Sequence, residues 1–230
     1  MTKIYFIKIE SYMQEDIYNH LQTFISIEKA RKIGKMIKLE DRIRHLVSDL
    51  LVRFVINNQL KIPNSQIQFH YNSYGKPFIT EAGQPFHFNV SHAGAYVVCA
   101  IDTVLVGADI ECIKDIDLSL VNMVLTKKEL EELTSVSEEQ KLHYFYSRWT
   151  LKESLVKHVG RGLQIPLNDI HIQKDALFHC EFENKKYFFQ QYELEIDYIL
   201  SVCSSKSAFD CEIIQLDFQY LYDFVVKQFS

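Results

Sequence analysis

The pattern of hydrophobic and polar positions predicts a chain that alternates between strands and helices. Apolar residues that alternate with polar ones, or that form short uninterrupted runs, indicate strands. The predicted strands are 3–9, 66–71, 86–91, 96–102, 104–112, 168–173, 177–183, 186–194 and 198–203. Apolar residues three or four positions apart indicate helices, because they lie on one helix face. The predicted helices are two within 27–59, then 118–134, 138–159 and 220–229.

The two halves of the sequence are similar to each other. Residues 60–69 (LKIPNSQIQF) align with residues 163–172 (LQIPLNDIHI), and the long helical pattern in each half aligns at nearly the same offset. Single matches can arise by chance in a chain rich in Ile, Leu and Phe, whereas several matches at one offset favour a duplicated unit. We therefore predict an α+β fold of two similar lobes, an N-terminal lobe at 1–103 and a C-terminal lobe at 104–230.

Composition indicates a large core and excludes several classes of protein. Hydrophobic residues make up 47% of the 230 residues, which excludes a mainly disordered chain. The net charge of −5 disfavours a nucleic-acid binder, which usually carries a basic excess. The chain has only 7 glycines and neither a G-x-x-x-x-G-K-[ST] nor a G-x-G-x-x-G string, so side chains would have to hold most of any bound phosphate.

Cysteine usage and hydropathy indicate a cytoplasmic protein that does not enter the membrane. The 5 cysteines form no C-x-x-C pair, and their odd number argues against a disulfide framework, so reduced thiols are expected. Lys3 and Lys8 interrupt the apolar N-terminal segment, which does not read as a signal peptide. The longest run without Asp, Glu, Lys or Arg, at 82–101, contains several polar side chains that a membrane span would not tolerate.

The first candidate site is the acidic pair in the sequence Gly107-Ala108-Asp109-Ile110-Glu111. On a strand, Asp109 and Glu111 project from the same face, with Cα atoms about 6.6 Å apart. In a mostly apolar strand these like charges would be desolvated and would repel each other, and a Mg²⁺ or Mn²⁺ ion would relieve both costs. Considered alone, the pair fits better an edge strand with a solvated acidic face.

The second candidate site lies in the sequence WTLKESLVK at 149–157. Glu153 and Lys157 are four residues apart and share a helix face. Considered alone, they fit a surface ion pair of little energetic weight. The apolar residues around them, and the chain's only tryptophan at 149, leave open a second interpretation, in which this acid and this base hold a metal ion and a phosphate.

Two further groups of polar residues have both a structural and a functional interpretation. Ser91 and His92 stand at the predicted hairpin turn, where polar residues are common and functional groups are frequent. A basic run includes Lys29 and Lys32, and Lys76 lies in a turn. A solvated helix face explains such a run, and an anion-binding rim is the alternative.

The internal repeat favours a functional site between the lobes. Asp109, Glu111, Glu153 and Lys157 belong to one copy only, so the duplicated scaffold does not require them. The strand at 104–112 and the long helix after it are expected to pack together, which would bring Glu153 toward the acidic pair. The predicted cleft then has the metal ligands on one wall and the basic residues on the other.

TFISIEKARK at 23–32 and DLLVR at 49–53 precede four further motifs that occur in a fixed order. They are YGKP at 74–77, FNVSHAG at 88–94, VGADIE at 106–111 and RWTLKESLVKHVGRGL at 148–163. Together they resemble the Sfp-type 4′-phosphopantetheinyl transferases, and the pairing of G-x-D-I-E with W-[ST]-x-K-E-[SA]-x-x-K is specific. The resemblance implies a monomeric pseudo-dimer of two α/β lobes related by a pseudo-twofold axis.

The resemblance also implies a reaction and roles for individual residues. The reaction is transfer of the 4′-phosphopantetheine arm of coenzyme A to a serine of an apo acyl or peptidyl carrier protein, with release of 3′,5′-ADP. By motif, Asp109, Glu111 and Glu153 would bind Mg²⁺, and Glu153 or a water that it orients would be the base. Lys157 would contact a phosphate. The other implied coenzyme A contacts are Lys29, Lys32, Arg44, Lys76, Ser91 and His92. At His45 the chain departs from the threonine of the best-known member.

Two other functions are consistent with the same residues, and the segment at 113–136 has two interpretations. A different Mg²⁺-dependent enzyme could act on a nucleotide or pyrophosphate without a carrier protein. A non-catalytic module that binds coenzyme A or a carrier protein is the other alternative, although it would not need the metal ligands. For the transferase, we expect the carrier protein to dock on 113–136, where Lys114, Lys127 and Lys128 flank a series of apolar residues. A helix face that packs on the core explains the same apolar residues.

Overall fold

The structure is a computed structural model that describes residues 1–9, 13–207 and 209–229, apart from the side chains of Leu118 and Leu163. Its helices are α1 (Glu15–Gln22), α2 (Ile27–Gly34), α3 (Leu39–Leu60), α4 (Leu118–Val124), α5 (Lys127–Ser135), α6 (Glu138–Val159) and α7 (Phe218–Phe229). Its strands are β1 (Thr2–Lys8), β2 (His70–Tyr71), β3 (Pro77–Phe78), β4 (His87–Ala93), β5 (Tyr96–Asp102), β6 (Val106–Cys112), β7 (Gln173–Lys174), β8 (Phe178–Phe182), β9 (Lys185–Glu195), β10 (Tyr198–Ser204) and β11 (Cys211–Leu216).

The N-terminal lobe is a four-stranded sheet packed against α3. Its strand order is β11-β1-β5-β4, in which β1 is antiparallel to β5 and parallel to β11. Leu46, Leu50 and Phe54 of α3 are buried in the core of this lobe, as their four-residue spacing predicts. Leu221 and Val225 of α7 join the same core, so the last strand and helix of the chain return to the first lobe.

The C-terminal lobe repeats this plan with more strands. Its order is β6-β10-β9-β8-β7, and α6 packs against β6 and β10. The order β1-β5-β4 of the first lobe corresponds to β6-β10-β9 of the second, and α3 and α6 both have 22 residues. The predicted α+β fold with a duplicated unit is therefore confirmed. The predicted boundary between residues 103 and 104 stays a prediction. The last strand and helix, within residues 211–229, pack on the N-terminal lobe although they follow the C-terminal lobe in sequence.

The two lobes meet where β4 lies beside β6. The Ala108 N–H donates a hydrogen bond to Asn89 Oδ1 at 2.8 Å, and the Ile110 N–H donates to Ser91 Oγ at 3.2 Å. Apolar residues of both sheets surround this line of contact. Side chains of β4 thus complete the hydrogen bonds of the β6 backbone, and this junction brings residues of the two lobes into one site.

Several local predictions were wrong. The predicted strand at 66–71 pairs only at its end, and that at 168–173 begins with a 3₁₀ turn. The helix expected at 118–134 is two helices, because Thr126 and Glu129 form a capping box that starts α5. The hairpin turn lies after residue 93, so Ser91 and His92 belong to strand β4 and not to the turn.

Asp102, the last residue of β5, stabilises the start of the connection between the lobes by accepting several hydrogen bonds. Its carboxylate accepts hydrogen bonds from Thr2 Oγ1 at 2.5 Å, from the Thr103 N–H at 2.6 Å and from Lys206 Nζ at 2.6 Å. Burial alone would raise the pKa of Asp102, but the hydrogen bonds from Lys206 and Thr2 outweigh it and lower the pKa to about 2. A lowered pKa in the folded state means that ionised Asp102 stabilises the fold.

An Asp102→Asn variant is expected to unfold more easily at neutral pH, by about 1–3 kcal/mol, because three donors lose a charged acceptor. The stabilisation is present above the unfolded-state pKa of about 3.9 and is lost as the pH falls toward 2. Urea unfolding of both proteins between pH 7 and pH 3 would measure this. The difference in the free energy of unfolding between wild type and Asp102→Asn should be smaller at pH 3 than at pH 7. The Asp115→Asn variant, changed at an exposed position, should not differ from wild type at either pH. An equal difference at both ends would contradict the assignment.

Candidate active site at the lobe junction

Strand β6 places Asp109 at the lobe junction, where it is only 3% exposed. Its Oδ1 accepts hydrogen bonds from Lys157 Nζ at 2.6 Å and from Ser91 Oγ at 3.1 Å. Its Oδ2 is buried and has no hydrogen-bond partner among the described residues. One carboxylate therefore joins β4, β6 and α6, and it keeps one oxygen for a further interaction.

Helix α6 approaches β6 closely because residue 107 has no side chain. A Cβ at Gly107 would lie 2.0 Å from the Ser154 carbonyl oxygen and 2.5 Å from the His158 nitrogen. Glu153 and Lys157 are one helical turn apart on the same part of α6. The close contact at Gly107 therefore holds both side chains beside the acidic strand.

The three carboxylates that the sequence singled out lie close enough to affect one another's ionisation. Burial and Asp109 raise the pKa of Glu111 to about 7, with a smaller contribution from Glu153. Burial and Asp109 also raise the pKa of Glu153. Burial raises the pKa of Asp109 itself, although Lys157 opposes the shift. The structure thus brings together three acids that disfavour one another's charged forms.

The chemistry of these donors suits an Mg²⁺ or Mn²⁺ ion. Asp109, Glu111 and Glu153 offer only oxygen ligands, which both ions prefer. A cation would relieve the repulsion between the carboxylates and would give Asp109 Oδ2 a partner. In the part of the chain that the structure describes, no three carboxylate, imidazole or thiol groups already stand in metal-binding geometry. The residues therefore fit the ion by the chemistry of their donor atoms.

A basic cluster lies on the N-terminal lobe next to this site. We define it as Lys29, Lys32, Arg44, His45 and His92. His92 follows Ser91 on β4, and its ring centroid lies 4.7 Å from that of His45 on α3. Burial, His45 and Lys157 lower the pKa of His92 to about 4. Burial and Lys29 lower the pKa of His45, with smaller contributions from Lys32 and Arg44. Positive charge is thus concentrated here, and both imidazoles are neutral near pH 7.

Two of the predicted cations have other partners in the structure. Arg44 donates to the Gly94 carbonyl at 3.0 Å and pairs with Asp41 at 2.5 Å. Lys76 lies apart from the basic cluster, and its Nζ donates to backbone carbonyls at the end of α6 and the start of β6. The phosphate contact that the sequence suggested for Lys76 stays a prediction, and it would have to compete with these hydrogen bonds.

The residue before Glu153 has a structural role that the motif alone did not reveal. Lys152 is 0% exposed, and its Nζ donates to Glu129 Oε2 at 2.5 Å and to the Val124 carbonyl at 2.7 Å. Adjacent helix positions point about 100° apart, so a buried Lys152 directs Glu153 toward the lobe junction. The T-x-x-E capping box at 126–129, which places Glu129 in the first turn of α5, is the sequence signal for one member of this buried pair.

A Lys152→Met variant is expected to lower the free energy of unfolding by about 3–5 kcal/mol, because buried Glu129 would keep only Arg148, at 3.9 Å, as a counter-charge. Adding Glu129→Gln to that variant should restore part of the loss, since the buried carboxylate that lost its closest counter-charge is then neutral. Urea unfolding of the single and double variants measures both effects. Wild-type stability in the Lys152→Met protein would contradict the structural role of the pair.

The fold and the site together define a two-lobed α+β enzyme with an acidic centre between its lobes, and models of one family match both lobes. The model for the N-terminal part of 4′-phosphopantetheinyl transferases matches residues 13–104. The model of the 4′-phosphopantetheinyl transferase superfamily matches residues 105–203. The two matches meet at the connection between the lobes.

Curated relatives cover nearly the whole chain. It is 32% identical over 223 residues to the 4′-phosphopantetheinyl transferase Sfp of Bacillus subtilis (strain 168), and the alignment covers 95% of this chain and 99% of the relative. It is 34% identical over 207 residues to the 4′-phosphopantetheinyl transferase gsp of Aneurinibacillus migulanus, and that alignment covers 89% of this chain and 86% of the relative. The chain belongs to the 4′-phosphopantetheinyl transferase superfamily, and the resemblance drawn from its motifs is confirmed.

Two other findings are more limited. The solved holo-[acyl-carrier-protein] synthase of Thermotoga maritima aligns with 44% of this chain and 61% of its own, at a TM-score of 0.37 and 14% identity, which is too partial a likeness to bear on the site. Among the described residues, no helix is both long and apolar enough to cross a membrane.

Proposed function

We propose that this chain transfers the 4′-phosphopantetheine arm of coenzyme A to a serine hydroxyl of an apo acyl or peptidyl carrier protein. The serine oxygen attacks the phosphorus next to the pantetheine arm, the bond from that phosphorus to the bridging oxygen of the pyrophosphate breaks, and 3′,5′-ADP leaves. The observation that carries this proposal is the group of three carboxylates with Lys157 between the lobes, in a chain whose relatives are named for this transfer.

Asp109, Glu111 and Glu153 are the residues that would hold Mg²⁺ or Mn²⁺. When bound, the ion would neutralise charge on the pyrophosphate. The raised pKa values of Glu111 and Glu153 support this role, because each carboxylate gains from a nearby positive charge. The unpartnered oxygen of Asp109 supports it as well.

Glu153 is the proposed base, and Lys157 stabilises the leaving group. Burial and Asp109 raise the pKa of Glu153, which makes its carboxylate a stronger proton acceptor for the serine hydroxyl. Lys157 Nζ is held by Asp109 and by Ser91 Oγ at 2.8 Å. From there its charge can stabilise the phosphate that departs with the nucleotide.

The basic cluster and Ser91 are the proposed binding site for the phosphates of coenzyme A. Lys29 and Lys32 supply ammonium groups, and Arg44 can reorient from its partly exposed partner Asp41. His92 is neutral near pH 7, so it can donate one hydrogen bond to a phosphate oxygen. Because these side chains come from α2, α3 and β4, the lobe without the acids supplies most of the anion binding.

We also propose that the chain acts as a monomer, because its own two lobes supply both walls of the site. The carrier protein docks on residues 113–136. Val124 and Leu125 face the core of this segment, whereas Met123 is 65% exposed. Lys127 and Lys128 are exposed next to it and can meet acidic groups of the carrier protein.

A Met123→Asp variant is expected to weaken carrier-protein binding by about tenfold, because it places a charge at an apolar contact and next to acidic partner groups. Its affinity for coenzyme A should stay at the wild-type value. Calorimetric titration with each ligand measures both. Ile213→Asp, an exposed position on β11, is the matched control and should leave both affinities unchanged. Unchanged carrier affinity in Met123→Asp would place the docking surface elsewhere.

The experiment that tests the function is the intact mass of a purified apo carrier protein after incubation with this chain, coenzyme A and Mg²⁺, beside an EDTA control. A gain of one phosphopantetheine mass that EDTA prevents is the expected result. No gain on acyl and peptidyl carriers alike, with coenzyme A binding intact, would favour a binding module. A small-molecule product without attachment to protein would favour a different Mg²⁺ enzyme.

A further inference from the structure

The turn at residues 72–76 of the N-terminal lobe is held in one shape by Asn72. The Asn72 Oδ1 accepts hydrogen bonds from the Tyr74 and Lys76 N–H groups, both at 2.9 Å. The Asn72 N–H donates to the Lys76 carbonyl at 3.0 Å, and Gly75 takes a positive φ of 86°. A glycine is favoured there because other residues rarely adopt this conformation. The turn therefore presents Lys76 and the Asn72 amide in fixed positions.

Both side chains reach across to the C-terminal lobe. Lys76 Nζ donates to the carbonyls of Lys157 at 2.6 Å, His158 at 3.1 Å and Val106 at 3.3 Å. The Asn72 Nδ2 donates to the Gly160 carbonyl at 2.9 Å. No carboxylate among the described residues pairs with Lys76. The Lys76 ammonium group therefore donates all three of its hydrogens to backbone carbonyl oxygens.

The accepting carbonyls belong to the two elements that carry the reactive groups. The last carbonyls of a helix have no partner within it and carry its partial negative charge, so a lysine there is favourable. Here the lysine also binds Val106, three residues before Asp109 on β6. One ammonium therefore joins the end of α6, which carries Glu153 and Lys157, to the start of the strand that carries the acidic pair.

We propose that Lys76 and Asn72 are positioning residues for the transfer reaction, and that they set the place of α6 relative to β6 from the opposite lobe. This inference rests on the proposed function. In the transferase, a small displacement of α6 would move Glu153 and Lys157 together, away from Asp109. Displacements of about 1 Å at reacting groups can cost about a hundredfold in rate.

The test compares Lys76→Met and Asn72→Asp with wild type in steady-state transfer. Asn72→Asp keeps the oxygen acceptor that shapes the turn and replaces the donor to the Gly160 carbonyl with a charged oxygen that repels it. Both variants are expected to lose about tenfold or more in kcat. The double variant should lose little more than Lys76→Met alone, because the two side chains act on one helix end. Lys227→Met, an exposed lysine on α7, is the control and should match wild type.

A second donor separates positioning from direct contact with the nucleotide. Coenzyme A and 3′-dephospho-coenzyme A should be affected equally by Lys76→Met, so that the ratio of their kcat/KM values stays within about twofold of wild type. A ratio that collapses in this variant alone would show that Lys76 binds the 3′-phosphate, and it would overturn the proposal. Losses that appear only in KM, with kcat intact, would overturn it as well.

Hydrogen exchange supplies a readout that does not depend on activity. The amide of Gly160, which donates to the Val156 carbonyl at 2.8 Å, should exchange faster in both variants than in wild type. Unchanged exchange at the end of α6 would contradict the positioning role. If wild-type protein lacked transferase activity but the variants still showed faster exchange, the proposed function would fail while the link between the lobes stood.

Discussion

A Glu153→Gln variant is expected to lose about a thousandfold in kcat, because the amide can neither accept the serine proton nor serve as an anionic metal ligand. The same variant should fold as well as wild type or slightly better. Burial and Asp109 disfavour the charged form of Glu153, so a neutral side chain of the same shape removes an unfavourable charge. Lower activity with equal or higher stability is the pattern of a residue placed for chemistry and not for folding.

Two measurements on that variant separate a catalytic role of Glu153 from a role in folding. Single-turnover transfer to an apo carrier protein gives the chemical step, and thermal unfolding gives stability. Glu139→Gln is the matched control, since Glu139 is an exposed glutamate on the same helix. It should behave as wild type in both measurements. Undiminished turnover in Glu153→Gln would exclude Glu153 as base and as ligand.

A Gly107→Ala variant is expected to be severely destabilised, by about 3 kcal/mol or more. The added Cβ would lie 2.0 Å from the Ser154 carbonyl oxygen and 2.5 Å from the His158 nitrogen. Both are backbone atoms of α6, so no side-chain rotation can relieve the clash, and the helix must move away from β6. Any folded fraction should also lose about a hundredfold in kcat, because Glu153 moves with the helix.

The control for this substitution is Gly34→Ala at the end of α2, where nothing lies within 4 Å of the added Cβ. It should be neutral or slightly stabilising, because alanine reduces the freedom of the unfolded chain. Urea unfolding of the three proteins gives the comparison. A Gly107→Ala protein with wild-type stability and activity would mean that α6 and β6 do not need this close contact.

The repeated plan of the fold could be predicted from the sequence because it depends on local patterns. The helix faces at α3 and α6 and the strands of the two hairpins follow from apolar spacing. The parallel pairing of β11 with β1 could not be predicted in this way, because it joins the two ends of the chain and no local pattern encodes it. The short pairing near residue 70 was overestimated because an apolar run can also pack as irregular backbone against a core.

The acidic part of the site could be predicted, whereas the environment that positions it could not. Asp109, Glu111 and Glu153 stand out in the sequence because a carboxylate in an apolar element is costly to bury, and such positions are often functional. The positions of Ser91 within β4 and of Lys76 at the end of α6 depend on how the lobes pack, which single-sequence patterns do not contain. The burial of Lys152 with Glu129 likewise depends on α5 folding back onto α6.

The most direct test of the site is electron paramagnetic resonance of Mn²⁺ bound to the protein together with coenzyme A. We expect one Mn²⁺ per chain, with hyperfine coupling to phosphorus that shows contact with the pyrophosphate. In Glu111→Gln and Asp109→Asn proteins the ion should bind at least about tenfold more weakly, since each loses a charged ligand. Equal Mn²⁺ affinity in these variants, or bound Mn²⁺ without coupling to phosphorus, would contradict the assignment of the metal and pyrophosphate to the lobe junction.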